Sequence, residues 1–528
     1  MSSALTLLPP SPSPSKLKYA TVLDAGSSAT RVYVYSWDAS QGDENLKVTK
    51  VYPDEEALAK EKNGSVVLER TPGFAKMTPE KTESYLILLL EGAHSFLRVI
   101  NSSSQESSVP VYLLATGGMR LLSETSQLPL LQKAHQVLSD AQKFPLFDAG
   151  TREENVRVIS GRTEGVLGWV ALNYGDERKQ GLFEVGGASV QIAYGAGRHL
   201  TGTGGGNAKV CIAKGGAADE VYSETWDGFG ADSVYAELRN IIWNEARAAG
   251  DSVGNPCLPR GAPDAHIKGI IGTGDFRTCL SLAKRILTQG AKKSPPMPYY
   301  PFVQETSNLF IGVANLQYTY DFFAAKPGAG YLVSEPYNRR LFTAAVERYC
   351  TGFFDGEVTK FSHAWCFKAA WMLTVLHDDE SGFGMDKVQV LKGMLKFPNG
   401  REMEERASWT MGAAVLIARN GGLKGCRGAV EPLSVGEGRG ETFGVVAKRI
   451  FELGAMDLGV GGLAPFASVA NALDSARARA SGNVTAGVVN VAGFAAVLFV
   501  LWIFVRRRFR GSRATARKVG LLGSGLML

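Results

Sequence analysis

Apolar runs, alternating or continuous and separated by small polar turns, divide most of this 528-residue chain into strands and helices. TVLDAG (21–26) and RVYVYSW (31–37) predict a β-hairpin closed by a Gly/Ser turn. VPVYLLAT (109–116) reads as a buried strand ending at Thr-Gly-Gly, and VRVIS (156–160) as another. A helix is expected from about Pro129 to Lys143, with the proline in the first turn, where its missing N–H costs nothing. GRTEGVLGWVALNY (161–174) has helical period, and GLFEVGGASVQIAY (181–194) repeats the strand, glycine turn, strand pattern. Farther on, DGFGADSVYAELR (227–239) is a loop entering a helix, GIIGTGDF (269–276) a strand and turn, and LFIGVANLQYTYDFF (309–323) an apolar, aromatic segment. FKAAWMLTVLH (367–377) and ASWTMGAAVLIAR (407–419) have helical period. Strands alternating with helices imply an α/β protein with mixed sheets.

One pattern occurs twice. With an offset of 160, LDAGSSATRVYVY at 23–35 matches FEVGGASVQIAYG at 183–195. An acid ends each strand (Asp24, Glu184), Gly26 pairs with Gly186, and small residues fill both turns. Any two glycine hairpins share some of this. Against that, both hairpins carry a carboxylate at the same position, and both turns lack the side-chain bulk that would block a phosphate.

Residues 486–505 (AGVVNVAGFAAVLFVLWIFV) carry no charge, and 20 residues at about 1.5 Å each cross a hydrocarbon layer of roughly 30 Å. Charge sharpens the picture. The net +6 owes seven positive charges to residues 506–528, which hold no acid, leaving a net −1 for residues 1–505. A nucleic-acid-binding body is therefore not expected. Basic residues directly after the span place the tail in the cytosol and the body across the membrane. The first residues, MSSALTLLPPSPSPS, lack a signal-peptide core and read as a disordered arm over 1–17. That leaves a tail-anchored cytosolic body as the competing arrangement. Gly, Ala and Arg enrichment makes 428–485 a stalk.

Six cysteines lie singly, without metal-ligand spacing. Cys257/Cys279 and Cys350/Cys366 are close enough for small disulfide loops, with buried thiols as the alternative. Glycine, 61 residues, is about 1.6 times its usual share of roughly 7%, which points to tight loops that approach a ligand. Two such hairpins facing each other would offer N–H groups and hydroxyls to an oligophosphate from both sides. A carboxylate ending each strand suits a hard divalent cation. No GxxxxGK[ST] in the required context and no HExxH is present, so a P-loop enzyme and a histidine-built zinc site lack support. Water activated by a carboxylate remains. Glu164 opens a helix just after a strand, where it could serve as that base or simply favour the helix dipole.

VLDAGSSATRVYVY, LLATGGMRLL, SGRTEGVLGWVALNY, FEVGGASVQIAY and WTMGAAV resemble the five apyrase conserved regions of the nucleoside triphosphate diphosphohydrolases, the apyrase/guanosine-diphosphatase family. TWDGFGADSVYAEL, NPCLPRG, GTGDFRTC and CFKAAWMLTVLH resemble segments of its Golgi and fungal branch, and the likeness covers about residues 18–425. Fungal Golgi apyrases share the missing signal peptide and single C-terminal span, so the resemblance implies a lumenal body in the Golgi. It implies the two-lobed actin/hsp70/sugar-kinase fold with ribonuclease H-like lobes: 18–161 plus about 407–427 as lobe I, 162–406 as lobe II, followed by one C-terminal transmembrane helix.

It implies phosphate loops from Gly26, Ser27, Ser28, Ala29 and Thr30 and from Gly186, Gly187 and Ala188, with Thr116 and Gly117 near the terminal phosphate. Glu164 becomes the catalytic base, with Ser189 and Gln191 positioning water. Asp24 and Glu184 hold Ca²⁺ or Mg²⁺ through waters, and Tyr318 falls near a base-stacking tyrosine. Three positions depart from the family pattern: Glu184 stands for the usual Asp, Gly117 for Ala in ATAGMR, and Asp232 for Asn in a GFGAN-like loop. The expected activity is metal-dependent hydrolysis of nucleoside tri- and/or diphosphates. Alternatives on the same fold are a sugar kinase, a polyphosphatase or a nucleotide-binding membrane protein with weak or no catalysis.

Overall fold

In the computed structural model the described residues are 17–41, 46–101, 108–174, 179–195, 207–210, 219–249, 254–290, 310–334, 337–354, 356, 364–385, 388–390 and 408–423. All belong to the first of two units, Met1–Gly440. The expected stalk, span (486–505) and tail lie outside them, as do residues 1–16 of the arm; its last residue, Leu17, already belongs to the first strand. Among the described residues no helix is long and apolar enough to cross a membrane.

The first half runs β1 (Leu17–Ala25), β2 (Thr30–Asp38), β3 (Thr49–Tyr52), α1 (Glu55–Lys62), β4 (Glu69–Arg70), α2 (Pro79–Asn101), β5 (Val109–Ala115), α3 (Gly117–Arg120), α4 (Glu124–Leu138), β6 (Phe147–Asp148), α5 (Arg152–Asn155) and β7 (Val156–Val158). The second runs α6 (Gly161–Asn173), β8 (Gly181–Val185), β9 (Ser189–Gly195), β10 (Asn207–Val210), β11 (Asp219–Asp227), α7 (Ala231–Ala249), α8 (Phe276–Gly290), β12 (Phe310–Ala314), α9 (Asn315–Ala324), α10 (Tyr331–Ser334), α11 (Arg339–Thr351), α12 (Trp365–His377), β13 (Val388–Val390) and α13 (Trp409–Asn420).

The first sheet has the order β3-β2-β1-β5-β6, with β4 on β2 and β7 on β5; the second is β10-β11-β9-β8-β12-β13. In each, an antiparallel hairpin (β1–β2, β8–β9) lies beside a strand parallel to its first member (β5, β12). The hairpin registers also coincide. Asp24 faces Arg31 and Ala25 faces Thr30, while Glu184 faces Gln191 and Val185 faces Val190. Each pair is displaced by 160, so the repeat read in the sequence is a structural one.

Two expectations need correction. The helix near Pro129 begins at Glu124 and ends at Leu138, which leaves the proline inside it. Burial of Leu130, Leu131, Ala134, Val137 and Leu138 on that face outweighs the one lost backbone bond. GIIGTGDF forms no regular strand, only isolated bridges through Ile271 and Gly272. Gly269 and Gly274, with φ of 88° and 69°, turn the backbone too sharply for a ladder. Both disulfide loops that the spacing left open are formed, Cys257–Cys279 and Cys350–Cys366.

The middle core lies between the sheets, where α6 and α13 pack against apolar residues of both. Glycines allow the tight fit. A Cβ at Gly161, Gly165 or Gly168 would come within 2.3–2.5 Å of Thr225, Ser223 or Leu182 on the second sheet. One at Gly412 would sit 1.9 Å from the Leu167 carbonyl oxygen. Gly412→Ala should therefore force α13 off α6 and cost about 1–3 kcal/mol of stability. Urea unfolding measures it, and an unchanged midpoint would show that the crossing is not held as closely as this.

Candidate active site

Both hairpin turns are backed by a glycine from a later loop. A Cβ at Gly73 would lie 2.4 Å from the Gly26 carbonyl oxygen and 2.3 Å from that of Ser27. One at Gly230 would lie 2.3 Å from the nitrogens of Ala188 and Ser189. The start of α7 then ties the second turn down: Ala231 N–H donates to the Gly186 carbonyl, and Asp232 and Ser233 N–H to that of Gly187. The N–H groups of Ser27, Ser28, Ala29, Gly187 and Ala188 donate to no described residue, so they remain available to an anion.

The two turns approach each other across the cleft. A Cβ at Gly187 would fall 2.4 Å from Ser27 Oγ and 2.8 Å from Ser28 Oγ. Gly117, in the turn after β5, comes as near to the second one, where a Cβ would be 3.0 Å from both Ala188 Cβ and Ser189 Oγ. Thr116 is buried beside it. Thr30 is not brought to this surface: its side chain is buried and its hydroxyl accepts a hydrogen bond from Tyr85.

Below the turns lies a closed polar cluster. Gln191 Nε2 donates to Glu164 Oε2 at 2.9 Å and to Ser189 Oγ at 2.8 Å. Arg120 holds the same two residues, with Nη1 2.9 Å from Glu164 Oε2 and Nη2 3.1 Å from Ser189 Oγ. Its Nε binds Asp227 at 2.9 Å, and Nη1 also reaches the Ile159 carbonyl. Four of the five guanidinium N–H groups are thereby committed to protein groups. Two acceptors are left over: Gln191 Oε1 is buried without a partner, and Glu164 Oε1 has none among the described residues. A water between them could donate to both.

Burial pushes the Glu164 carboxyl above its ordinary pKa, while the Arg120 charge pulls it back. Those opposed effects are how a carboxylate becomes a base effective near neutrality. Burial also raises Asp24, to about 7, and Glu184 well above the ordinary range, each further disfavoured by the charge of Glu164. Arg31, opposite Asp24, only partly compensates. Asp24 Oδ1 is buried without a partner. Among the described residues no three His, Cys, Asp or Glu converge to ligate an ion directly. An orphaned oxygen and under-compensated carboxylates fit a divalent cation held through its water shell.

Comparison with known proteins bears on this arrangement. Residues 11–425 match the model of the GDA1/CD39 (nucleoside phosphatase) family. The chain belongs to that family. This nucleoside phosphatase is 30% identical over 455 residues to a Golgi apyrase of Schizosaccharomyces pombe, covering 76% of each chain. It is 29% identical over 440 residues to the nucleoside-triphosphatase ntp-1 of Caenorhabditis elegans, covering 76% of this chain and 74% of that one. Its fold is similar to a crystal structure of nucleoside triphosphate hydrolases from Neospora caninum, with TM-score 0.51 at 16% identity over 76% of this chain and 92% of the other. The mixed α/β, two-sheet, actin-like architecture expected from the sequence is therefore the fold of this phosphatase.

The residues expected at its site gather in one place, apart from Thr30. Tyr318, on α9, is 52% exposed and near enough to Arg31 and Tyr33 to act on both electrostatically. Arg120, Asp227, Gly73 and Gly230 had not been expected there. The Arg of ATGGMR was a usable signal, being a cation one turn after a phosphate-type glycine turn. Asp227 carried none.

The Asp24 shift generates a prediction. A carboxyl whose folded pKa is about 7, against an ordinary 3.8, destabilises the empty fold when ionised. The penalty is absent below pH about 4, grows with pH and is complete above about 7. Asp24→Asn should thus raise the melting temperature in EDTA at pH 8, and raise it less at pH 5. An equal change at both would remove the charge argument.

Proposed function

We propose that this protein hydrolyses the terminal phosphoanhydride of nucleoside tri- and/or diphosphates, in a divalent-cation-dependent reaction with Glu164 as general base. The observation that carries the proposal is the Glu164–Gln191–Ser189–Arg120 cluster, with its two unpartnered acceptors, beneath two facing turns rich in free N–H groups. Water held by Gln191 Oε1 and Glu164 Oε1 gives its proton to Glu164 as its oxygen attacks the terminal phosphorus in line. The bond to the bridging oxygen breaks, and the nucleoside phosphate leaves. N–H groups of Ser27, Ser28, Ala29, Gly187 and Ala188 stabilise charge on the non-bridging oxygens, with Thr116 and Gly117 beside the terminal group. When bound, a Ca²⁺ or Mg²⁺ ion supplies charge neutralisation along the phosphates, and Asp24 and Glu184 would hold its waters. Glu184, one methylene longer than the usual Asp, reaches towards Gly168 of α6, a shift of about 1 Å that a water-mediated contact can absorb. Tyr318 is the candidate to stack on the base.

The names of the relatives support nucleotide as substrate and a Golgi setting. We read residues 486–505 as a single membrane anchor, with the body lumenal and the basic tail cytosolic; a tail-anchored cytosolic body is the competing arrangement. Phosphate release from ATP, UDP, GDP and inorganic tripolyphosphate, with Mg²⁺ or Ca²⁺, tests the substrate class. Release from tripolyphosphate alone would favour a polyphosphatase.

Two variants test the roles. Glu164→Gln should lower kcat by at least about 10²-fold while nucleotide still binds. Full turnover would refute the mechanism. Arg120→Lys cannot reach Glu164, Ser189 and Asp227 together. It should lower kcat with little change in KM and move the acid limb of the pH–rate profile upward, since Arg120 draws the Glu164 pKa down. A KM-only effect would make Arg120 a substrate contact.

A further inference from the structure

The charge that the sequence places at Asp232 sits at the mouth of the site, and the mechanism above makes no use of it. Asp232 lies in the first turn of α7, and its N–H is spent on the Gly187 carbonyl. Its carboxylate reaches across the cleft, where Oδ2 accepts a hydrogen bond from Ser28 Oγ at 2.5 Å. A Cβ at Gly187 would fall 2.9 Å from that same Oδ2. One carboxylate oxygen and the hydroxyls of Ser27 and Ser28 thus converge on the tip of the second turn. Glu164 is buried on the floor, whereas the Asp232 side chain is 54% exposed. A nucleotide whose terminal phosphate rests over Glu164 must pass its next phosphate outward between these tips, displacing Ser28 from Asp232.

Behind the carboxylate stands one cation. Lys368 Nζ, on α12, is 3.9 Å from Asp232 Oδ1 and its side chain is 13% exposed. It is fixed by Asn315 Oδ1 at 2.9 Å, and the Asn315 amide in turn donates to the Val185 carbonyl at the root of the second turn. The Trp365 ring covers it at 5.3 Å. The ammonium is held too far from Asp232 for a direct hydrogen bond and cannot swing away without leaving Asn315. It reduces the negative charge at the mouth without cancelling it.

Resting on the proposed nucleotide hydrolysis, we propose that Asp232 is a specificity-determining residue that makes nucleotide binding conditional on a divalent cation, with Lys368 as its partial counter-charge. Uncomplexed nucleoside diphosphate brings two or three negative charges past the Asp232 carboxylate as water is squeezed out. The cation complex brings far less net charge. The residue therefore penalises the free nucleotide selectively, and a neutral amide at 232 would penalise neither form.

Isothermal titration of the full-length protein with UDP, in EDTA and in excess Mg²⁺, tests this. Asp232→Asn should tighten binding of free UDP about tenfold, equivalent to about 1.4 kcal/mol, and that of MgUDP less than threefold. Lys368→Met should weaken free UDP, and the double variant should bind it as tightly as Asp232→Asn alone, because the carboxylate that Lys368 offsets is gone. Equal changes for both forms in Asp232→Asn, or additive effects in the double variant, would overturn the proposal. Melting temperatures of the variants identify any that fail to fold, and Asp232→Ser, which keeps the backbone bond to Gly187, then carries the same expectation. Where UDP does not bind, the same titrations use GDP or ATP; absence of binding of all three in every protein, wild type included, would overturn the proposed function and this inference with it. Tight MgUDP binding with an unaltered free-to-complexed ratio would overturn the inference alone.

Discussion

One buried guanidinium organises the floor of the candidate site. Arg120 comes from the turn after β5 in the first sheet, and its partners all belong to later segments: Glu164 on α6, Ser189 on β9 and Asp227 at the end of β11. Desolvating such a cation is costly, and only near-complete pairing repays it. The two carboxylates and the serine hydroxyl provide that pairing only when the two sheets stand in one relative position. The ion pairs that hold Glu164 therefore also fix the width of the cleft, and a distortion of either half is transmitted to that carboxylate.

The close approach that Arg120 requires is permitted by residues with no side chain. Gly161, Gly165 and Gly168 let α6 lie flat on the second sheet, which brings Glu164 down to Gln191. Gly117 lets the first sheet's loop meet Ala188 and Ser189, and Gly73 and Gly230 buttress the two turns. The glycine excess thus has a mechanical meaning. Most of these residues serve as spacers of zero thickness between elements that must touch, and their conformational freedom matters less.

What the sequence reveals of this site follows from how local each signal is. The hairpins carry their signal within 13 residues, and the offset of 160 survives into the strand registers because both hairpins close through the same kind of small-residue turn. Glu164 is ambiguous from its own neighbourhood, since an acid in a first helical turn is ordinary. Only Arg120, 44 residues earlier, and Gln191, 27 later, tie it into a buried polar cluster that a helix-capping acid would not need. Thr30 shows the opposite case. It belongs to the right turn, but strand alternation sends its side chain to Tyr85 and the core. GIIGTGDF has strand composition, and its positive-φ glycines still forbid a ladder.

The balance of charge in the cleft gives these observations a common direction. Among the described residues Asp24, Glu164, Glu184, Asp227 and Asp232 line or support a surface whose cations are Arg31, Arg120 and Lys368, and Arg120 is paired with two of those carboxylates. A site for polyanions would be expected to carry free positive charge, and this one carries a deficit. Asp24 and Glu184 register it as carboxyls driven towards protonation, and Asp24 Oδ1 as an acceptor with nothing to accept. Backbone N–H groups alone cannot correct it, because they supply partial charges of fixed number. The deficit is removed when positive charge arrives together with the phosphates. On that reasoning the affinity of the fold for its substrate is shared between the protein and a cation, and the acid at 232 makes this chain's share smaller than an amide would.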